Sequence, residues 1–273
     1  MKLSIVLSTQ PAAFSALAYQ GELEANIAKI AALGYDGVEL AVRNPELLTV
    51  KHIKKSLKEM NLSAPAIGTG QAYGEDGLCF THPNEKIRET AVQRIKAHIG
   101  FAANFQAQVI IGLIRGRVTE NLEHKQASNW LVEALKECSD AASRLGIKLA
   151  LEPINRYETN LVNTVADGLD LIEKVASENL GLLLDTFHMN IEEPSIEDSI
   201  QQAGNRIFHF HVADSNRWYP GAGHIDFKRI VEVLNEVGYK GFLSAEILPL
   251  PDSDTCAEKT VEFLRPILSK VVW

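Results

Sequence analysis

Eight short apolar runs alternate strictly with eight longer amphipathic stretches along the 273 residues, and this rhythm constrains the fold more than any other feature. Strands are predicted at 3–7, 37–41, 63–67, 109–114, 148–152, 181–185, 207–211 and 242–247. Helical periodicity fills 22–33, 50–60, 84–105, 122–145, 165–175, 196–202, 227–237 and 257–268. Strict β–α alternation demands parallel strands, because each return crossing is made by a helix. Eight such units are what a closed (β/α)8 TIM barrel needs, at about 250 residues in one domain. The chain is therefore read as one α/β barrel domain spanning 1–273. Gly34, Gly146 and Gly238 each follow a helical pattern, where glycine suits a left-handed C-terminal cap. The segments LGYDGVE and VGYKGFLSAE share a local pattern, a helix end followed by a glycine-flanked strand closing on glutamate.

A parallel barrel points the C-terminal ends of all its strands into one mouth, where active sites form. Four consecutive predicted strands end on Glu152, Asp185, His211 and Glu246. Any one of them alone reads equally well as an ordinary strand-end polar residue. Together, three carboxylates and an imidazole form a donor set for a hard or borderline divalent cation. Three long connections, 68–83, 188–195 and 213–226, lie at the same mouth and have the length of binding loops. A divalent cation beside a carbonyl acidifies the adjacent C–H. Epimerisation then needs a base on one face of the carbon and an acid on the other. Glu152 and Glu246, from non-adjacent strands, are suited to those two tasks, leaving Asp185 and His211 mainly as ligands. Spacing alone does not compel that division.

Charge and composition narrow the class. The formal net charge of −8 disfavours a duplex nucleic-acid partner and an anionic membrane surface. No run approaches a membrane span, and the apolar run in MKLSIVLSTQPAAF is too short for a signal peptide, so a cytoplasmic enzyme is expected. The three cysteines, Cys79, Cys138 and Cys256, form no paired motif and are read as reduced.

The segments LEPINRYETN, LLLDTFHMNIEE, HFHVADSNRWYPGAGHIDF and GFLSAEI resemble the xylose isomerase-like TIM-barrel sugar isomerases and epimerases, and within them the D-tagatose 3-epimerase group. GYDGVELAVRNP, AIGTGQAYGEDGL, THPNEKIRE and VIIGLIRGR are further similar to the 5-keto-L-gluconate epimerases, which act on a keto-acid sugar. The likeness covers essentially the whole chain. It implies a metal-dependent carbohydrate 3-epimerase, an isomerase holding one Mn²⁺, Mg²⁺ or Co²⁺ on Glu152, Asp185, His211 and Glu246. It implies that Glu152 and Glu246 exchange the C3 proton through a cis-enediolate. It also implies that Glu158, His188 and Arg217 contact the O1/O2 end of the sugar, and that the protein forms a homodimer or homotetramer. A substrate carboxylate calls for a cation, and Arg43, Arg115 and Arg117, which follow the second and fourth predicted strands, are the candidates.

Other readings share this barrel. An inosose-type dehydratase begins with the same proton abstraction, and a sugar isomerase uses related chemistry. A sugar-phosphate enzyme would show a glycine-rich phosphate cradle, and none is evident. An endonuclease IV-like nuclease needs more histidines at the mouth; of the eight in the chain, His52 and His98 sit in helical patterns, and the net acidity disfavours DNA. An inactive sugar-binding barrel would not need all four ligands.

Overall fold

The computed structural model describes residues 1–270; the final three positions of the expected 1–273 domain lie outside the described residues. Among the described residues, eight parallel strands close into a barrel: β1 (Lys2–Ser8), β2 (Gly37–Ala41), β3 (Ala66–Gly68), β4 (Gln108–Ile111), β5 (Leu149–Leu151), β6 (Leu180–Asp185), β7 (Ile207–Val212) and β8 (Phe242–Ala245). Each pairs with the next, and β8 pairs back onto β1 with Ser4 opposite Ser244, which removes the sheet edges. A two-residue strand, Tyr19–Gln20, is appended outside β1. The surrounding helices are α1 (Leu23–Ala32), α2 (Val50–Glu59), α3 (Glu85–Ala103), α4 (His124–Arg144), α5 (Val165–Val175), α6 (Ile196–Ala203), α7 (Phe227–Glu236) and α8 (Ser253–Leu268). None of the described helices is long and apolar enough to cross a membrane.

Local chemistry explains the boundaries. Helix α5 starts at a reciprocal cap, in which Thr164 accepts from the Asp167 amide and Asp167 accepts from the Thr164 amide. Gly34, Gly146 and Gly238 sit at φ of 88°, 67° and 78°, the left-handed region expected of them. Helix α8 begins four residues before the predicted position, because Asp252 accepts from the Thr255 amide and caps it there. The predicted strand 63–67 is displaced to Ala66–Gly68: Pro65 has no amide to give a ladder, and Ser63 keeps only a single bridge to Gly37. The predicted strand 109–114 ends at Ile111, and Leu113–Arg115 form a 3₁₀ turn after Gly112. Two connections contain short helices, Gly70–Gly74 and Thr186–Glu192.

Strand residues alternate between the barrel axis and the helix layer. Leu3, Ile5, Leu7, Val38, Leu40, Val109, Ile111, Leu149, Leu151, Leu182 and Leu184 belong to the large core cluster beneath the helices. Ala66, Ile110, Ala150 and Leu183 form a separate apolar layer inside the barrel, with Phe208 packed on it. Two residues further along each strand is the next inward position. On β5 that step leads from Ala150 to Glu152, and on β6 from Leu183 to Asp185. The register sets Asp185 opposite His211, and His211 opposite Ser244, two residues before Glu246. The apolar layer thus floors the barrel, and the polar residues stand directly above it. All three cysteines are free and buried.

Candidate metal centre and cavity

Glu152, Asp185, His211 and Glu246 each bring a ligand atom to within 4.8 Å of the others. His211 Nδ1 lies 3.8 Å from Glu152 Oε1 and 3.7 Å from Asp185 Oδ2. Those three atoms are buried and have no hydrogen-bond partner among the described residues. Buried polar atoms are normally paired. Three buried ligand atoms converging on one point without hydrogen-bond partners fit a bound dication. The other oxygen of Asp185, Oδ1, accepts from the Phe187 amide at 2.8 Å, so the same carboxylate caps the short helix that carries His188.

The electrostatics agree. Burial, then Glu246 and Asp185 nearby, push the Glu152 carboxyl well above the usual carboxylate range, against the pull of His211 and Arg115. Burial also raises Glu246, against His211 and Arg217. Burial opposes a charge on His211, but Glu39, Asp185 and Glu246 outweigh it and raise the imidazole well above its ordinary value. The cluster therefore attracts positive charge to the Nδ1 side of His211.

Above the centre lies a cavity of about 330 Å³. Its polar lining includes Glu152, Glu158, His188, His211, Arg217 and Glu246. Its apolar lining includes Val6, Phe14, Leu17, Ile110 and Leu113, and Thr69, Gln71 and Tyr73 also reach it. Arg217 Nη2 donates to Glu246 Oε2 at 2.9 Å, and Nη1 donates to Glu158 Oε1 at 3.0 Å. Its guanidinium is flanked by the rings of Phe14 and Phe187, at 5.1 and 4.7 Å. Asn155 Nδ2 donates to Glu158 Oε1 at 2.9 Å and stands 2.7 Å from His188 Nδ1. An amide N–H facing Nδ1 leaves the ring proton on Nε2, which points toward Glu152 Oε1 at 3.8 Å. Burial lowers the His188 imidazole to about 4, so the ring is a neutral donor at neutral pH. The residues singled out as O1/O2 contacts thus share the cavity's polar lining with the ligand cluster.

The three candidate arginines do not. Arg43 donates from Nε to Asp76 Oδ1 at 2.8 Å, and Asp76 also receives Arg94 at 2.7 Å. This places Arg43 in a partly exposed ion-pair cluster that ties the 70–77 segment to α3. Arg117 is exposed, and only its backbone carbonyl is engaged, by Thr81. Arg115 is fully buried and donates to the carbonyls of Leu161 (2.9 Å), Gly112 (3.1 Å) and Val162 (3.0 Å). The cause is the early end of β4. The 3₁₀ turn after Gly112 sends Arg115 beneath the 159–163 loop instead of into the mouth. Arg115→Met is expected to cost about 2–4 kcal/mol of stability, from losing three charge-assisted bonds, and to raise KM by loosening the loop behind Glu158. Thermal denaturation checks the first effect and steady-state kinetics the second. Arg43→Ala and Arg117→Ala should leave both close to wild type.

Sequence reasoning misses Glu39. This β2 residue is 1 % exposed, and its carboxylate meets His209 Nε2 at 2.8 Å and His211 Nε2 at 3.0 Å. The signal is present in the shared pattern of LGYDGVE and VGYKGFLSAE, since each puts a glutamate at an inward strand position. Gly112 is also missed. A Cβ there would stand 2.9 Å from Glu152 Oε2. Gly112→Ala is expected to fold normally, because the far end of a flexible side chain can move aside. A displacement of even part of an ångström should still lower kcat, by about 10-fold or more. Unchanged kcat in a folded Gly112→Ala protein would show that Glu152 has slack.

The chain matches the xylose isomerase-like TIM barrel family model over residues 27–267. It is 31% identical to an L-ribulose 3-epimerase of Mesorhizobium japonicum, over 85% of this chain and 78% of that protein. It is 37% identical to a D-psicose 3-epimerase of Enterocloster bolteae, over 78% of this chain and 72% of that one. Among solved structures, a D-allulose 3-epimerase from Methylomonas sp. in complex with D-allulose superposes with a TM-score of 0.83 at 26% identity, covering 97% of each chain. By family match, relatives and barrel alike, the chain belongs to the xylose isomerase-like TIM barrel family, in which these curated relatives are ketose 3-epimerases.

Proposed function

We propose that the protein is a divalent-metal-dependent epimerase that inverts C3 of a ketose or keto-acid sugar through a cis-enediolate. The observation that carries this reading is the convergence of three buried, unpartnered ligand atoms, from Glu152, Asp185 and His211, with the Glu246 carboxylate beside them. A dication bound there would polarise the sugar carbonyl and stabilise the negative charge that develops on its oxygen. Glu152 and Glu246 stand on β5 and β8 and can address opposite faces of C3. One carboxylate would act as the base and the other would return the proton from the opposite face. Arg217 fixes the Glu246 carboxylate and offers its remaining surface to the O1/O2 end. His188 Nε2–H and Glu158 complete that end as donor and acceptor.

Two observations bear on the far end of the sugar. The segment AIGTGQAYGEDGL, one of those similar to the 5-keto-L-gluconate epimerases, supplies Thr69, Gln71 and Tyr73 to the cavity wall, which supports a keto-acid. Against this, the one guanidinium lining the cavity among the described residues, that of Arg217, is committed to Glu158 and Glu246, which supports a neutral ketose. Proton NMR in D₂O with Mg²⁺-loaded enzyme decides between them, using 5-keto-L-gluconate, D-tagaturonate, D-fructose, D-tagatose and D-psicose. Deuterium at C3 with formation of the C3 epimer, abolished by EDTA, is the expected result. Exchange confined to the keto-acids would select the first substrate class. Deuterium at C4, loss of water, or no exchange on any sugar would sink the 3-epimerase reading.

A further inference from the structure

A second polar group shares His211 with the ligand cluster and adds two residues that the proposed reaction does not use, Glu39 and His209. We propose that Glu39 is a positioning residue that sets which nitrogen of His211 faces the metal centre, with His209 as its second anchor. This rests on the reading of Glu152, Asp185, His211 and Glu246 as a metal site, and adds how that site is held.

A carboxylate has no proton to give at neutral pH, so it can only accept from the rings beside it. Glu39 Oε2 lies 2.8 Å from His209 Nε2 and 3.0 Å from His211 Nε2. Each contact therefore requires an Nε2–H donor, and both rings are held in that tautomer. With a cation bound in the cluster, His211 Nδ1 is then the nitrogen left to face it with a bare lone pair. It is the atom left without a hydrogen-bond partner beside Glu152 Oε1 and Asp185 Oδ2. A ligating histidine oriented by a carboxylate on its other nitrogen is a recurrent way to fix ring orientation and basicity. Here the carboxylate comes from β2, on the opposite side of the barrel from β6 and β7, so the brace crosses the axis. His209 contributes by taking up lone-pair capacity that a single ring would leave unsatisfied. The two imidazoles stand edge to face, 5.3 Å apart at 78°, which lets both Nε2 atoms reach one carboxylate.

The same three residues could themselves grip an ion, but their spacing favours hydrogen bonds. Ligands about 2.1 Å from a tetrahedral ion stand roughly 3.4 Å apart, whereas the Glu39 contacts are 2.8–3.1 Å.

The test reads metal binding and tautomer in addition to turnover. Titration of metal-free wild-type protein with Co²⁺ should give one ion per chain. In Glu39→Gln the amide oxygen can take the place of Oε2, but the negative charge is lost and the NH₂ takes the place of Oε1, 3.1 Å from His211 Nε2, where it confronts that ring's N–H. The Co²⁺ dissociation constant is expected to rise about 10–100-fold, with a shifted visible spectrum and retained circular dichroism. His209→Gln, which keeps an N–H near the same place, should bind Co²⁺ within a few-fold of wild type. In ¹⁵N-histidine-labelled wild-type protein loaded with diamagnetic Mg²⁺, His209 and His211 should both show the Nε2–H pattern. A folded Glu39→Gln protein with wild-type affinity and spectrum would overturn the proposal. So would His211 protonated on Nδ1 in the Mg²⁺-loaded protein, or a second ion lost on His209→Gln. If Glu39→Gln does not fold, the wild-type tautomers decide alone. Failure of every sugar to react would count against the proposed activity and leave these readouts untouched.

Discussion

Glu246→Gln should lower kcat by about 10²–10⁴-fold, the range for removing a positioned acid–base group. Glu246 stands just past the end of β8, and its Oε2 receives Arg217 Nη2 at 2.9 Å. A glutamine can keep that bond through its carbonyl and occupy the same volume. What it loses is the ability to take or hold a proton, and one of the three negative charges of the cluster. Glu152→Gln should give a loss of the same order, but the two variants should differ in a way that kcat alone does not show. Each carboxylate addresses one face of C3, so each variant should be able to deprotonate only one of the two epimers. Incubated in D₂O, Glu246→Gln should exchange the C3 proton of one epimer without inverting it, and Glu152→Gln that of the other. If either variant stays within 10-fold of wild type in kcat, that residue has no acid–base role. If both variants exchange the same epimer, the two-face arrangement is wrong.

Asp185→Asn should all but abolish activity by removing metal affinity while leaving the fold intact. Asp185 has two separable roles. Oδ1 accepts from the Phe187 amide at 2.8 Å, and an asparagine carbonyl can do the same. Oδ2 is the buried, unpartnered atom aimed at the cluster, and there the substitution puts an NH₂ group facing His211 Nδ1. The affinity loss should exceed the ~10–100-fold that follows loss of an outer hydrogen-bond partner. Calorimetric titration with Mn²⁺ and circular dichroism measure the two roles separately. Wild-type affinity in Asp185→Asn would exclude this carboxylate as a ligand. The sign of the pH effect follows from the same electrostatics. Glu152 and His211 both hold protons more tightly than usual, Glu152 chiefly because it is buried beside Glu246, His211 because three carboxylates outweigh the cost of burying its charge. Lowering the pH returns protons to the groups that must bind the cation. Apparent metal affinity should therefore fall as pH falls, read as a larger Mn²⁺ dissociation constant at pH 6 than at pH 8 by calorimetric titration.

Much of this site is legible in the sequence because of how parallel barrels are made. In a parallel barrel, the C-terminal end of every strand reaches the same mouth. A polar residue closing an apolar run can then be assigned to the site without knowing any contact. Glu152, Asp185, His211 and Glu246 are found that way. Glu158, His188 and Arg217 come from resemblance, since loop residues have no periodicity to read. The arginines depart from expectation for a local reason. Gly112 follows the last residue of β4, and the 3₁₀ turn after it reverses where Arg115 points. A run that reads VIIGLI in one dimension gives no sign of where the sheet stops pairing.

The sequence by itself determined the eight-fold alternation, the closed barrel it implies, and the set of strand-end residues at one mouth. These follow from hydrophobic periodicity, which is local. Only the tertiary structure decided which inward positions meet across the axis. Glu39 bonds His209 and His211, some 170 residues later, because barrel closure brings β2 and β7 to face one another. It also decided that Arg115 holds a loop and Arg43 an ion pair, because a guanidinium buried by packing must take its donors to the nearest acceptors. Strand register and side-chain neighbours are set by contacts between distant segments, and no window along the chain contains them.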